Sequence, residues 1–148
     1  MKDKYILTAE SVTAGHPDKL CDTIADSVLD ACLKEDPNAR VACEVLATVG
    51  KILVAGELRT KASPDVETIV RQAVRNAGYD CNYNVEVRLH TQSPDIAGAV
   101  DGETLGAGDQ GIMYGYACWE TVELLPAPVV LANRITSLLT ACREEKLI

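Results

Sequence analysis

Arg40-Val41-Ala42-Cys43-Glu44-Val45-Leu46-Ala47-Thr48-Val49-Gly50-Lys51-Ile52-Leu53-Val54-Ala55-Gly56-Glu57-Leu58-Arg59-Thr60 reads as two β-rich runs, 40–48 and 51–60, hinged at Gly50. Branched apolar residues on both sides of a glycine turn predict an antiparallel hairpin. The segments around it have another period. Before it, Leu20, Ile24, Val28 and Leu33 recur near helical spacing, with Cys21, Ala25, Leu29 and Cys32 widening the stripe. That helix opens at Pro17, where a missing N–H costs nothing, and stops before Pro37 with Lys34-Glu35-Asp36 as a frayed end. After the hairpin, Ser63-Pro64-Asp65 caps a second helix with Val66, Ile69, Val70, Ala73 and Val74 on its apolar face and Gly78 as its stop.

The outer segments complete the pattern. Tyr5-Ile6-Leu7 predicts a short first strand. Val85, Val87 and Leu89 alternate with Glu86, Arg88 and His90, the mark of a half-buried strand. Thr91 to Gly111 has no periodicity and is rich in Gly, Asp, Ser and Pro, as lids and binding loops are. Residues 112–117 predict another short strand. Pro126-Ala127-Pro128 introduces a last helix carrying Val129, Val130, Ala132, Ile135, Leu138 and Leu139. The order β-α-β-β-α-β, then a loop, then β-α, predicts an α+β fold: a two-layer α/β sandwich with helices on one face of a mixed sheet. The final β-α piece lacks strands to pair with, so it is expected to be incomplete or to need a partner.

The chain has 148 residues, 47% hydrophobic and 24% charged, the profile of a globular protein. No apolar run approaches the ~20 residues of a membrane span. No signal-peptide core follows Met1, so a cytoplasmic location is expected. A net charge of −8 argues against a nucleic-acid partner. The six cysteines form no Cys-x-x-Cys pair, which points to reduced core thiols rather than zinc.

The chemistry concentrates in Glu10-Ser11-Val12-Thr13-Ala14-Gly15-His16-Pro17-Asp18-Lys19. An imidazole, carboxylates and an ammonium surround a helix start, whose N–H groups and dipole favour anions. His16 is either a helix-entry residue or a hydrogen-bond partner for a phosphate. Asp18 either complements the dipole or binds Mg²⁺, which takes one or two carboxylates plus phosphate oxygens. Asp22, Asp26 and Asp30 continue its stripe as a solvated face. Glu44 and Glu57 are acids in apolar strands, and Gly56 leaves room for a close approach beside Glu57.

These runs, with Ala42-Cys43-Glu44, Gly56-Glu57, Gln92-Ser93-Pro94-Asp95-Ile96, Gly106-Ala107-Gly108-Asp109-Gln110-Gly111, Gly115-Tyr116-Ala117 and Pro126-Ala127-Pro128, closely resemble the amino-terminal part of the S-adenosylmethionine synthetase (methionine adenosyltransferase) family. The resemblance implies synthesis of S-adenosylmethionine from ATP and L-methionine, with release and hydrolysis of tripolyphosphate. It implies that His16 contacts ATP near the leaving oxygen and that Asp109 lies in the pocket for methionine and adenosine. By the same resemblance Glu57 and Gln92 are expected to contact methionine, Asp18 and Glu10 to bind Mg²⁺, two ions per site, and Glu44 to belong to a K⁺ site. It also implies a domain over 1–104 with a gating loop near 92–102, the start of a similar central domain over 105–148, and homodimers or homotetramers with sites between subunits.

The connections 79–92 and 101–106 look shorter than in many bacterial members. The chain ends at Ile148, where the family's central domain is getting under way. The basic segments that clamp tripolyphosphate are missing, so the chain alone is expected to be inactive: truncated, proteolysed or one half of a split enzyme. Two other classes compete: a non-catalytic nucleotide-binding partner subunit, and a Mg²⁺-dependent phosphohydrolase.

Overall fold

The computed structural model describes residues 5–80, 82–91 and 110–148. Its elements are α1 (Pro17–Glu35), β1 (Arg40–Thr48), β2 (Lys51–Arg59), α2 (Val66–Asn76), β3 (Asn84–Thr91) and α3 (Ala127–Glu144). They fall into two compact units, Pro17–Gly111 and Met1–His16 with Ile112–Ile148.

The first unit is a mixed sheet in the order β1-β2-β3. β1 and β2 form the antiparallel hairpin, from Arg40↔Arg59 to Thr48↔Lys51. β3 returns parallel to β2 through α2, the kind of crossover that parallel pairing requires. The Asn84 N–H donates to the Gly50 carbonyl at 2.9 Å, so the hairpin turn starts the third strand. Side chains alternate as a strand dictates. Ile52 and Val54 face the helices and are fully buried, while Leu46 on the opposite face is 64% exposed. α1 lays Leu20, Ile24, Val28 and Cys32 onto β1. α2 adds Val66, Val70, Ala73 and Val74.

The ends of α2 follow from local chemistry. Asp65 caps it, accepting from the Thr68 N–H at 3.1 Å and the Thr68 hydroxyl at 2.7 Å, and these bonds hold its carboxyl below the usual range. Gly78, at φ 82°, ends it, with Gly78 N–H donating to the Arg75 carbonyl and Tyr79 N–H to the Val74 carbonyl.

Asp36 is a correction. Sequence placed it in a frayed helix end. It is buried instead, and its carboxylate accepts from the Lys61 N–H at 2.8 Å, the Asn38 N–H at 3.1 Å and the Thr60 hydroxyl at 3.2 Å. It therefore ties the end of α1 to the end of β2. The Lys61 N–H, and after it the Asn38 N–H and the Thr60 hydroxyl, hold this carboxyl below its ordinary 3.8. A lowered carboxyl stabilises the fold above the ordinary range, and that contribution is lost as pH falls through the lowered value. Asp36→Asn is expected to lower the melting temperature by about 10 °C at neutral pH. The gap to the parent should close as pH falls below the ordinary carboxylate range, as thermal melts across pH would show.

Two further corrections concern strands. Residues 5–7 join no sheet among the described residues, and Tyr5, Ile6 and Leu7 are 84%, 90% and 66% exposed. Residues 112–117 likewise form no ladder, and Met113 is 97% exposed. So short a run cannot bury its own apolar face. The described order is therefore α-β-β-α-β-α.

The second unit is built on α3. The Glu120 carboxylate accepts from the Ala127 N–H at 2.9 Å, and Arg134 pairs with Glu123 at 2.6 Å. Val130 is its one buried helical side chain among the described residues, while Leu131, Ile135, Leu138 and Leu139 stay exposed. That agrees with the expectation that this piece buries little by itself.

Candidate active site

The run from Glu10 to Lys19 crosses from one unit to the other. Glu10 to His16 belongs with α3, where the Ser11 and Thr136 hydroxyls hydrogen-bond at 3.0 Å. The His16 N–H closes a turn onto the Thr13 carbonyl at 3.0 Å, and Pro17 begins α1 directly after it. Asp18 lies exposed in the first turn, as its complement to the helix dipole requires. Lys19 is exposed beside it, and its carbonyl accepts from the Thr23 hydroxyl at 2.8 Å. The buried Leu20 and Ile24 fix the rotation of α1, so the same packing that makes the core turns Asp18, Asp22, Asp26 and Asp30 to solvent.

Glu44 and Glu57 both lie on the sheet face turned away from the helices. Glu44 sits opposite Ala55 and is exposed; Glu57 sits opposite Ala42 and is half-buried. They are diagonal neighbours, about 7 Å apart for such pairs. Two carboxylates so placed concentrate negative charge on that face.

Gly56 is closely approached, as expected, and the neighbour is the partner strand. At φ 140°, a Cβ there would stand 2.0 Å from the Ala42 carbonyl oxygen. The glycine therefore serves the hairpin, and it bears on Glu57 only by fixing its register.

Gln92, Asp109 and the loop 92–102 lie outside the described residues. Among the described residues, no three His, Cys, Asp or Glu side chains gather into a group able to hold a metal. The donors present suit hard cations nonetheless: Glu10, Asp18 and Glu44 offer only carboxylate oxygens, and Mg²⁺ needs no more than one or two of these beside phosphate oxygens. The five described cysteines are free. Burial pushes the Cys21, Cys32 and Cys43 thiols up, which keeps them protonated and unreactive. No described helix is long and apolar enough to cross a membrane.

Sequence reasoning passed over two features at the far end of the sheet. Arg59 is the register partner of Arg40, and His90 that of Glu57. Strand composition hides such pairings, because they depend on which residues the hairpin brings opposite one another.

Comparison with known proteins bears on the whole chain. Residues 4–103 match the family described as S-adenosylmethionine synthetase, N-terminal domain, and residues 104–148 match its central domain. Among similar proteins, the S-adenosylmethionine synthase of Prochlorococcus marinus (strain NATL2A) is 46% identical over 163 aligned positions, covering 98% of this chain and 40% of the relative. That of Sulfurovum sp. (strain NBC37-1) is 49% identical, covering 97% and 40%. That of Granulibacter bethesdensis is also 49% identical, with the same coverage. The chain thus spans about two-fifths of the length of these relatives. The alignments are longer than the chain itself, so the relatives carry residues that it lacks. With both domain matches running in order from residue 4 to residue 148, the chain belongs to the S-adenosylmethionine synthetase family.

Proposed function

We propose that this chain supplies the metal-facing wall of an enzyme that makes S-adenosylmethionine from ATP and L-methionine. The methionine sulfur forms a bond to ribose C5′ as the C5′–O bond breaks. Tripolyphosphate leaves and takes up water to give pyrophosphate and phosphate. The observation that carries this reading is the helix start at His16-Pro17-Asp18, in a chain matched to the family from end to end.

In this reading His16 hydrogen-bonds the oxygen that leaves C5′, where charge develops in the transition state. The amino-terminal dipole of α1 favours the same charge. Asp18 and Glu10 hold Mg²⁺, and Glu44 belongs to a K⁺ site beside Glu57. Bound there, the metal ions neutralise polyphosphate charge. Glu57 and Gln92 position methionine, and Asp109 lines the pocket for methionine and adenosine. Residues 1–104 form one domain and 105–148 the start of the next. Active sites lie between subunits of a homodimer or homotetramer, or between this chain and a separate carboxy-terminal half, in the cytoplasm.

The test joins residues 1–148 to the carboxy-terminal remainder of the Sulfurovum relative and supplies ATP, L-methionine, Mg²⁺ and K⁺. Mass spectrometry is expected to find S-adenosylmethionine, with equal pyrophosphate and phosphate by ³¹P NMR. Polyphosphate hydrolysis without that product would support a phosphohydrolase. Nucleotide binding without turnover would support a non-catalytic partner subunit.

A further inference from the structure

Glu10 and His16 ride on a segment that is fastened to a helix far along the chain. Ser11 follows Glu10 directly, and residues 12–15 alone separate it from His16. Its hydroxyl meets that of Thr136 on α3 at 3.0 Å, a contact between residues 125 positions apart. Both residues are half-buried, and both belong to the unit formed by Met1–His16 and Ile112–Ile148.

The other bonds of Thr136 set the direction of this one. A threonine hydroxyl has one proton and two lone pairs. That proton faces the backbone of α3, where the Asn133 carbonyl lies at 3.1 Å and the Ala132 carbonyl at 3.3 Å. Thr136 therefore accepts and Ser11 donates. The back-bond also fixes the Thr136 rotamer, so the acceptor is already oriented on the helix. α3 is in turn held through its first two turns, where Glu120 takes the Ala127 N–H and Arg134 pairs with Glu123. On the other side of Ser11, the His16 N–H closes its turn onto the Thr13 carbonyl at 3.0 Å. A turn this short has little slack, so movement at Ser11 passes to Glu10 on one side and His16 on the other.

We propose that Ser11 and Thr136 are positioning residues of the candidate active site, with α3 setting where Glu10 and His16 stand through this hydrogen bond. Groups carried by an ordered element and locked by a supporting hydrogen bond keep the geometry that transition-state contacts need. The roles of Glu10 and His16 rest on the proposed synthesis. The hold on their segment does not, and it is measured without substrate.

Amide hydrogen exchange of the 148-residue chain, read by NMR at His16, tests the hold. Ser11→Ala and Thr136→Val each remove the bond, and valine keeps the shape of threonine. Each is expected to speed exchange of the His16 N–H about fivefold, the worth of one such bond. The double variant should match the single ones, because all three lack the same bond. Thr136→Ser keeps the acceptor and should stay within about twofold of the parent. Exchange of the Val130 N–H, bonded to the Pro126 carbonyl at 3.2 Å, reports on α3 itself and should not change. In residues 1–148 joined to the carboxy-terminal remainder of the Sulfurovum relative, Thr136→Val should lower kcat for S-adenosylmethionine about fivefold. KM for L-methionine should stay within about twofold, and Thr136→Ser should restore the rate. A joined parent that makes no product counts against the proposed synthesis, and the exchange result then decides the hold alone. The proposal is overturned by unchanged His16 exchange in both single variants, by an equal rise at Val130, or by effects that multiply in the double variant. An unchanged kcat beside faster exchange overturns it as well.

Discussion

Gly56→Ala is expected to cost on the order of 4 kcal/mol and to melt the hairpin that organises the Pro17–Gly111 unit. The added Cβ would meet the Ala42 carbonyl oxygen at 2.0 Å, the Ala42 carbonyl carbon at 3.0 Å and the Cys43 Cα at 3.3 Å. All three are backbone atoms of the partner strand, so no side-chain rotation relieves the clash. The backbone at φ 140° is also a conformation that residues with a Cβ rarely adopt. Relief requires β1 and β2 to separate at Cys43↔Gly56, between the Glu44 and Glu57 positions. A domain is stable by only about 5–15 kcal/mol, so the loss is a large fraction of the whole. Ala55→Gly is the control: it removes a methyl from the adjacent residue and should cost only about 1 kcal/mol. Urea unfolding followed by circular dichroism measures both; similar costs for the two variants would contradict the crowding at Gly56.

His16→Asn, in a complete enzyme containing this sequence, is expected to slow S-adenosylmethionine formation by about 10²–10⁴-fold. Hydrolysis of added tripolyphosphate should change by less than about tenfold, because the C5′–O bond that His16 faces breaks only in the first step. The asymmetry is the informative part. A role confined to folding or to general phosphate binding would depress both steps together. The turn before α1 should survive the substitution. The backbone N–H of His16, not its imidazole, makes the turn onto Thr13, and asparagine supplies the same N–H. Rates of the two steps measured separately decide between these outcomes.

Much of the fold was legible because it obeys simple periods. Leu20, Ile24 and Val28 specify α1, the β-branched runs either side of Gly50 specify the hairpin, and Asp65 with Gly78 bounds α2. What sequence missed depends on partners distant in the chain. Tyr5-Ile6-Leu7 and 112–117 have strand composition, but composition does not supply an edge to pair with. Asp36 looked like the polar tail of a helix, because its three donors come from residues 38, 60 and 61, which only the fold brings near. Gly56 was rightly singled out for a close approach, yet only the register names Ala42 as the neighbour. The candidate site divides the same way. Its residues were legible through a family pattern spread over the chain, and the helix start through Pro17, whereas the shared sheet face of Glu44 and Glu57 belongs to the structure.

The most direct measurement is a Mg²⁺ titration of Asp18→Asn in the complete enzyme, reading both S-adenosylmethionine formation and tripolyphosphate hydrolysis. Asp18 is exposed, so the substitution should leave the fold intact. If Asp18 is part of the metal-facing wall, half-saturating Mg²⁺ rises at least about tenfold in both steps, as expected for a lost carboxylate ligand. A Mg²⁺ dependence identical to that of the parent in both steps would contradict the account.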